Sequence, residues 1–335
     1  MYNYGIDLLK IVSMLFIISI HVLGHGGVLE TSQGGGYALS WLIEIVGFCG
    51  VNCYAIISGF VSYREYDRTW KWENYISLWI KTVTYGVIIT LVFYFISPNT
   101  TGLIDIVQTL MPVTFNQYWY FTAYSVLFLI MPFLDRLIRS VNWKKLLVFI
   151  AILSCYATVA SYFTDVFELN GGYSFVWLAC LYIVGAIIRK EELYKRCKKK
   201  CIMLILLFLI FITWIWKVWI GGLHEGLGNV PISYIAPNIL GIAICFVLIF
   251  SSINIHSKWV KKIAASTFGI YLFHDQRIFR KHVIIARFKF IADMPIWSIP
   301  VMVIAISSIL FLIGLLVDKI WSIFYKRLKI ERMFG

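Results

Sequence analysis

Charge is what this chain has least of. Only 14% of its 335 residues are Asp, Glu, Lys or Arg, against about 25% in an ordinary soluble domain. No sizeable soluble domain fits beside the apolar stretches. A cysteine framework is missing too. The seven cysteines, Cys49, Cys53, Cys155, Cys180, Cys197, Cys201 and Cys245, are odd in number and lie mostly in apolar runs. Cys49/Cys53 and Cys197/Cys201 have four-residue spacing, but neither has a second pair of the zinc-ligand kind. They read as small apolar helix fillers, and no metal site or disulfide set is expected. A secretory signal is not expected at the start, because Asp7 stands where the leading region should be purely basic and no small-residue cleavage site follows. There is no internal repeat and no polar low-complexity tract, so residues 1–335 read as a single domain.

What is present is apolar. Sixty per cent of the residues are hydrophobic, 17% are aromatic, and the mean hydropathy is +0.81. These values describe a polytopic integral membrane protein. The expected fold is all-α, a bundle of about ten transmembrane helices over 5–24, 38–62, 75–96, 119–138, 145–163, 173–189, 202–220, 232–253, 266–285 and 297–322. The net charge of +13 would suit a nucleic-acid partner if it formed a surface, but it sits in short connections, which excludes that class. Arg64, Arg68 and Lys71 follow the second span. Arg136, Arg139, Lys144 and Lys145 follow the fourth, Arg189 to Lys200 the sixth, and Lys258, Lys261 and Lys262 the eighth. The connections after spans one, three, five and seven carry no Lys or Arg. By the positive-inside rule both termini are expected in the cytoplasm, with the chain multi-pass in the plasma membrane. The stretch after span nine breaks the alternation: Arg277, Arg280, Lys281, Arg287 and Lys289 fall on the outer side. Either that span is misread or these cations face an external anionic group. Between spans three and four, 103–110 is periodic enough for a short helix at the outer surface.

The first span carries Asp7, Lys10, His21 and, just beyond it, His25. At 100° per residue the eleven steps from Lys10 to His21 close to within roughly 20°, so one face holds an acid and a base at one end and imidazoles at the other. Ionisable side chains in a span are costly toward lipid and usually turn inward, although groups this near the helix ends can also snorkel to the headgroups. Asn52 and Ser58 in span two want partners away from lipid. Lys81 lies one turn deeper than the Arg64–Lys71 cluster, at a level suited to a phosphate or to snorkelling. Trp119 and Tyr120 open span four as an aromatic belt or a platform for a sugar ring. His274, Asp275, Arg277 and Arg280 crowd into two turns of span nine, a density hard to reconcile with a lipid-facing surface.

Four pieces in order resemble the acyltransferase-3 family of integral membrane acyltransferases, and among them those that O-acetylate bacterial surface polysaccharides. They are Asp7-Leu-Leu-Lys10 with His21, the run Gly50–Phe60, Tyr118–Tyr124 with Met131–Asp135, and Ser266–Asp275. Together they cover most of the chain from residue 5 to about 280. Lys10 stands where many members have Arg and Asn52 where many have Asp, and the basic pair before span three is thinned to Lys71 and Lys81. The resemblance implies ten or so helices, a cytoplasmic acyl-CoA (acetyl-CoA) donor with no bound cofactor, and transfer to a glycan hydroxyl at the outer side. No appended extracellular hydrolase-like domain is expected.

His21 then occupies the family's essential histidine position. A neutral imidazole suits removal of a proton from an attacking sugar hydroxyl near pH 7. Asp7, Lys10 and Asn52 are assigned supporting places. Arg64, Arg68, Lys71 and Lys81 are assigned to acyl-CoA, and Trp119, Tyr120, His274, Asp275, Arg277 and Arg280 to the acceptor, a surface glycan or lipid-linked oligosaccharide. The oxyanion donor stays open among a tyrosine, Asn52 and a cation. The rival class is a transporter or flippase of a lipid-linked glycan, against which the lack of an internal repeat counts. A ligand-binding membrane sensor is the third possibility.

Overall fold

The computed structural model describes residues 2–327 apart from Arg68. Within them every regular element is helical and there is no strand. Helix α1 spans Tyr4–Ile20; Asn3 starts it by accepting a hydrogen bond from the Ile6 N–H at 3.1 Å, which satisfies one of the donors a helix leaves free at its first turn. It continues as a wider π turn over His21–His25, closed by Gly26 N–H to the His21 carbonyl at 2.9 Å.

The second expected span is two helices, α2 (Gly34–Phe48) and α3 (Gly50–Ser62), meeting at Cys49. The glycines beside this joint let it lie against α1: a Cβ at Gly50 would stand 2.9 Å from the Ser13 carbonyl oxygen, and one at Gly47 2.8 Å from Ile20 Cγ2. Then come α4 (Trp72–Ile96), α5 (Leu103–Leu110), α6 (Trp119–Ser140), α7 (Trp143–Ser161), α8 (Phe175–Lys190), α9 (Lys199–Ile215) and α10 (Pro237–Ser251). The last two are α11 (Thr267–His274) and α12 (Ser298–Arg327). Among the described residues seven segments are long and apolar enough to cross a bilayer: 4–25, 34–62, 72–96, 119–140, 143–161, 199–223 and 298–325.

At the sixth and eighth expected positions lie shorter helices of 16 and 15 residues, α8 and α10. Both are buried along most of their length, as membrane helices packed on all sides must be. Helix α3 runs against α8 at backbone distance, since a Cβ on Gly59 would overlap the Tyr182 carbonyl oxygen and one on Gly185 that of Ile56. Such small-residue contacts are the usual way for helices to associate without a hydrophobic driving force.

Two expectations need correction. The ninth segment is not one regular helix and crosses the bundle in pieces: eight residues of helix end at His274, a turn follows, and Arg277–Phe279 and Arg280–Ile284 form short helical turns. Helix α5 exists, but it does not lie flat at a surface. Thr109 Cβ meets the Cβ position of Gly86 at 3.0 Å, ten residues short of the end of α4, so the end of α5 lies beside α4 about 15 Å down from that helix's last residue.

Contacts between chain segments define the two ends of the bundle. At one, Lys261 lies over the Tyr2 ring at 4.6 Å, Lys319 donates to the Lys262 carbonyl at 3.1 Å and Tyr325 bonds Ser77. Arg139 donates there to the Tyr66 carbonyl, Lys190 to that of Ile138 and Arg189 to that of Phe60. This end gathers both α1's start and α12's last described turns. It also holds the connections rich in Lys and Arg. At the opposite end the chain after α11 caps the π turn, with Ala286 N–H bonding the His25 carbonyl and Phe288 N–H that of Gly26. The tail residues Lys329 and Arg332, like Arg68, lie outside the described residues.

Candidate active site

The π turn presents His21 and His25 together, their ring centroids 5.1 Å apart, to a cavity of about 540 Å³. A π turn inside an otherwise regular helix is uncommon and often marks a functional position. Across from it, the break after α11 brings Asp275 inward. Its Oδ1 stands 3.9 Å from His21 Nδ1 and accepts a hydrogen bond from Arg280 Nη1 at 2.7 Å. Arg280 can reach back only because the segment turns at Gln276 rather than continuing as a helix. Asp275 is 3% exposed, so its charge is compensated by the guanidinium where water is scarce. His21 Nδ1 is itself buried and has no hydrogen-bond partner among the described residues, as is Thr122 Oγ1 nearby on α6.

Aromatic rings make the rest of the wall. Trp119 packs on Tyr173 at 4.5 Å between centroids and stacks on Tyr234 at 6.2 Å. Tyr120 meets Tyr54 and Tyr271 edge-on. Tyr54 is tied by its hydroxyl to Thr267 at the start of α11, which couples the α3 wall to the helix carrying Asp275. Flat apolar faces edged with hydroxyls are what a cavity for a polyhydroxylated ring requires.

A second cavity, of about 340 Å³, lies toward the lysine- and arginine-rich end. Its lining includes Arg64, Lys71, Asn74, Tyr75 and, from α6, Tyr124, Phe128 and Met131. The two cavities therefore follow one helix: Trp119 to Val126 line the first, Tyr124 to Met131 the second, about 18 Å of rise in all. The buried Phe121 ring separates them, in contact with Tyr75 on the lower side and Phe268 on the upper. At the outer rim of the lower cavity Asp67 bridges Arg136 (3.2 Å) and Arg139. The hydrogen bond and charge of Arg136, with Arg139 adding to them, hold the Asp67 carboxyl below its ordinary range. This bridge is present above the ordinary carboxylate pKa and is lost only as the pH falls through the lowered one.

A family model, described as an acyltransferase domain, matches residues 3–319. The chain belongs to the acyltransferase-3 family. No curated protein and no solved structure matches it. Membership carries acyl transfer by a membrane protein, and the geometry of this acyltransferase-3 chain can be set against each residue named from the sequence.

The upper cavity brings together His21, Trp119, Tyr120, Asp275 and Arg280. His274 is behind it: fully buried, its Nδ1 bonds the Ile270 carbonyl at 2.7 Å and its ring stands 5.2 Å from that of His21. It touches the His21 ring and does not line the cavity. Arg277 is exposed on the outside of the segment and does not line the cavity either. Arg64 and Lys71 share the lower cavity; Arg68 is outside the described residues. Lys81 is elsewhere. Its ammonium makes a buried ion pair with Asp318 of α12 at 2.5 Å, with Tyr85 donating to the same carboxylate oxygen at 3.0 Å, so its charge is not available to a phosphate.

Asp7 and Lys10 pair with each other at 3.0 Å, Tyr2 donating to Asp7, and line neither cavity. Asn52 is buried and taken at both ends, donating to the Tyr234 carbonyl at 2.8 Å and accepting from Trp177 Nε1 at 3.3 Å. It braces α3, α8 and the approach to α10 and does not line the cavity, which removes it as an oxyanion donor. Sequence reasoning missed Tyr54, Thr122, Tyr173, Tyr234 and Asp318. Only Asp318 had a signal, a carboxylate inside a long apolar run.

Proposed function

We propose that this acyltransferase moves an acetyl or similar short acyl group from cytoplasmic acyl-CoA to a hydroxyl of a cell-surface or lipid-linked polysaccharide in a bacterial plasma membrane. The observation that carries this reading is His21: an imidazole on the wall of an aromatic, hydroxyl-edged cavity, with a compensated carboxylate near its Nδ1 and a second, cation-lined cavity one ring away.

The chemistry assigns each part. Arg64 and Lys71 hold the donor's phosphates at the lysine- and arginine-rich end, read as cytoplasmic by the positive-inside rule. The donor's long flexible arm passes along α6 and Phe121 to bring the thioester beside His21. The acceptor enters from the opposite end and stacks on Trp119. As the hydroxyl oxygen attacks the thioester carbonyl carbon, His21 takes its proton, and Asp275 orients the ring and stabilises the imidazolium. The tetrahedral oxyanion meets donors on the cavity wall, among them the hydroxyls of Tyr54, Tyr120 and Thr122 and the Arg280 guanidinium. Collapse breaks the C–S bond, and the departing thiolate takes the proton back from His21. An ester and a free thiol result.

The test is turnover by purified protein of labelled acetyl-CoA with a glycan acceptor. Wild type is expected to form the ester and His21→Ala to form none above background. Transfer that survives the substitution overturns the role of His21, and glycan translocation without acyl turnover overturns the enzyme reading.

A further inference from the structure

Among the connections at the His21 end of the bundle, 276–297 alone is rich in cations, and their placement divides them. Two of the five are paired within the chain, Arg280 with buried Asp275 at 2.7 Å and Lys289 with the exposed Glu30 at 3.2 Å. The other three are exposed. Arg277 and Lys281 are one turn apart, on one side of the helical stretch. Arg287 donates through Nε to the carbonyl of His282, the neighbour of Lys281, at 3.1 Å, and Lys281 Nζ lies 3.4 Å from the Thr100 carbonyl. Three exposed cations thus lie along one short stretch, and the partners shown for Lys281 and Arg287 are backbone carbonyls.

The surroundings fix the level of Lys281. Thr100 lies just beyond α4, a 25-residue span, and the side chains around it are apolar and open: Phe95 is 79% exposed, Ile96 and Leu103 68% each, and Ile104 62%. The hydrocarbon boundary therefore falls at this ring of residues, and a cation at the loop just past it sits where lipid phosphates are. Gln276 bonds Thr90 of α4 at 3.1 Å and the His282 ring stacks on Phe93, so the stretch is fixed against the span and not free to swing into water. Arg280, one turn from Arg277, lines the catalytic cavity.

We infer that Arg277, Lys281 and Arg287 seat the phosphate of a lipid that carries the acceptor, holding the glycan's anchored end beside the mouth of the cavity. The inference rests on the acyl-transfer reading and narrows it: the acceptor is a glycan still joined through phosphate to a lipid. Snorkelling alone would leave the cations indifferent to which phosphate they meet.

The experiment uses the full chain in phosphatidylcholine nanodiscs and measures binding of a labelled long-chain polyprenyl phosphate, with phosphatidylglycerol and inorganic phosphate as competitors. Wild type is expected to bind the polyprenyl phosphate in preference to both. The triple variant Arg277→Gln/Lys281→Gln/Arg287→Gln is expected to lose about tenfold or more, since each interfacial cation is worth roughly a fivefold change. The charge-preserving pair Arg277→Lys/Arg287→Lys is expected to keep most of the binding, which separates loss of the seat from misfolding. Equal competition by phosphatidylglycerol or by inorganic phosphate, or unchanged binding in the triple variant, overturns the inference. Because lipid binding is read without acyl-CoA, its failure is distinct from a failure of acyl turnover in the wild type.

Discussion

Asp275 holds one carboxylate between a guanidinium at 2.7 Å and an imidazole nitrogen at 3.9 Å. The longer distance is that of a pair not yet hydrogen-bonded, and catalytic hydrogen bonds commonly tighten only with substrate bound. Asp275→Asn keeps the shape and removes the charge that would stabilise the imidazolium. It is expected to lower kcat by about 10²-fold with little change in the acceptor KM; a loss below about threefold in steady-state kinetics contradicts the pairing. Much of this residue pair was legible in the sequence. An imidazole in the first apolar helix and a His-Asp-x-Arg-x-x-Arg crowd in an otherwise apolar segment both cost too much to face lipid. What could not be read was the division of labour within the crowd. His274 and Asp275 are adjacent, yet one turns behind His21 and the other toward it, because the helix ends between them.

At the scale of elements, Lys81 and Asp318 show why local reading fails. Lys81 looked explicable where it stood, as a snorkelling or phosphate-binding cation, and Asp318 drew no reading at all. Their partnership depends on α4 lying beside α12, which no local pattern reports. The pair is buried, shares Tyr85, and fills the space beside Gly269 of α11, where a Cβ would overlap the Asp318 carboxylate. Removing one member strands a buried charge, which costs about 3–5 kcal/mol, whereas replacing both by apolar residues is often neutral. Lys81→Met is therefore expected to lower the thermal unfolding midpoint of the detergent-solubilised protein sharply. The double variant Lys81→Met/Asp318→Leu is expected to recover most of that loss. A double variant no more stable than the single one contradicts the pairing. The fragmented ninth segment has the same lesson: its residues are apolar enough to suggest a span, but Asp275, Gln276 and Arg280 each find a partner inside the protein by abandoning the regular helix.

At the scale of the whole molecule, the account is one of two entrances and one base. Composition alone sufficed for a helical membrane protein, and most connections rich in Lys and Arg lie together at one end of the bundle. The cavities were invisible to it, since Tyr54, Tyr173 and Tyr234 come from three distant stretches and meet only on packing. Arg64 and Lys71 stand at the cation-lined entrance, and a charge-assisted contact to phosphate is worth about 1.5–3 kcal/mol. Lys71→Gln is accordingly expected to raise the KM for acyl-CoA by about tenfold or more while leaving kcat at saturation unchanged. The wild-type donor KM is expected to climb with salt while the variant's climbs less. A fall in kcat with constant KM would place Lys71 at the chemistry instead.

The most direct measurement is sidedness in sealed proteoliposomes with the protein inserted in one orientation. Labelled acetyl-CoA is supplied only to the compartment facing the Arg64–Lys71 entrance, and a glycan acceptor only to the other. The label is expected to appear on the acceptor across the membrane with wild type and not with His21→Ala. Transfer that occurs only when donor and acceptor share a compartment would contradict a single imidazole served from both ends.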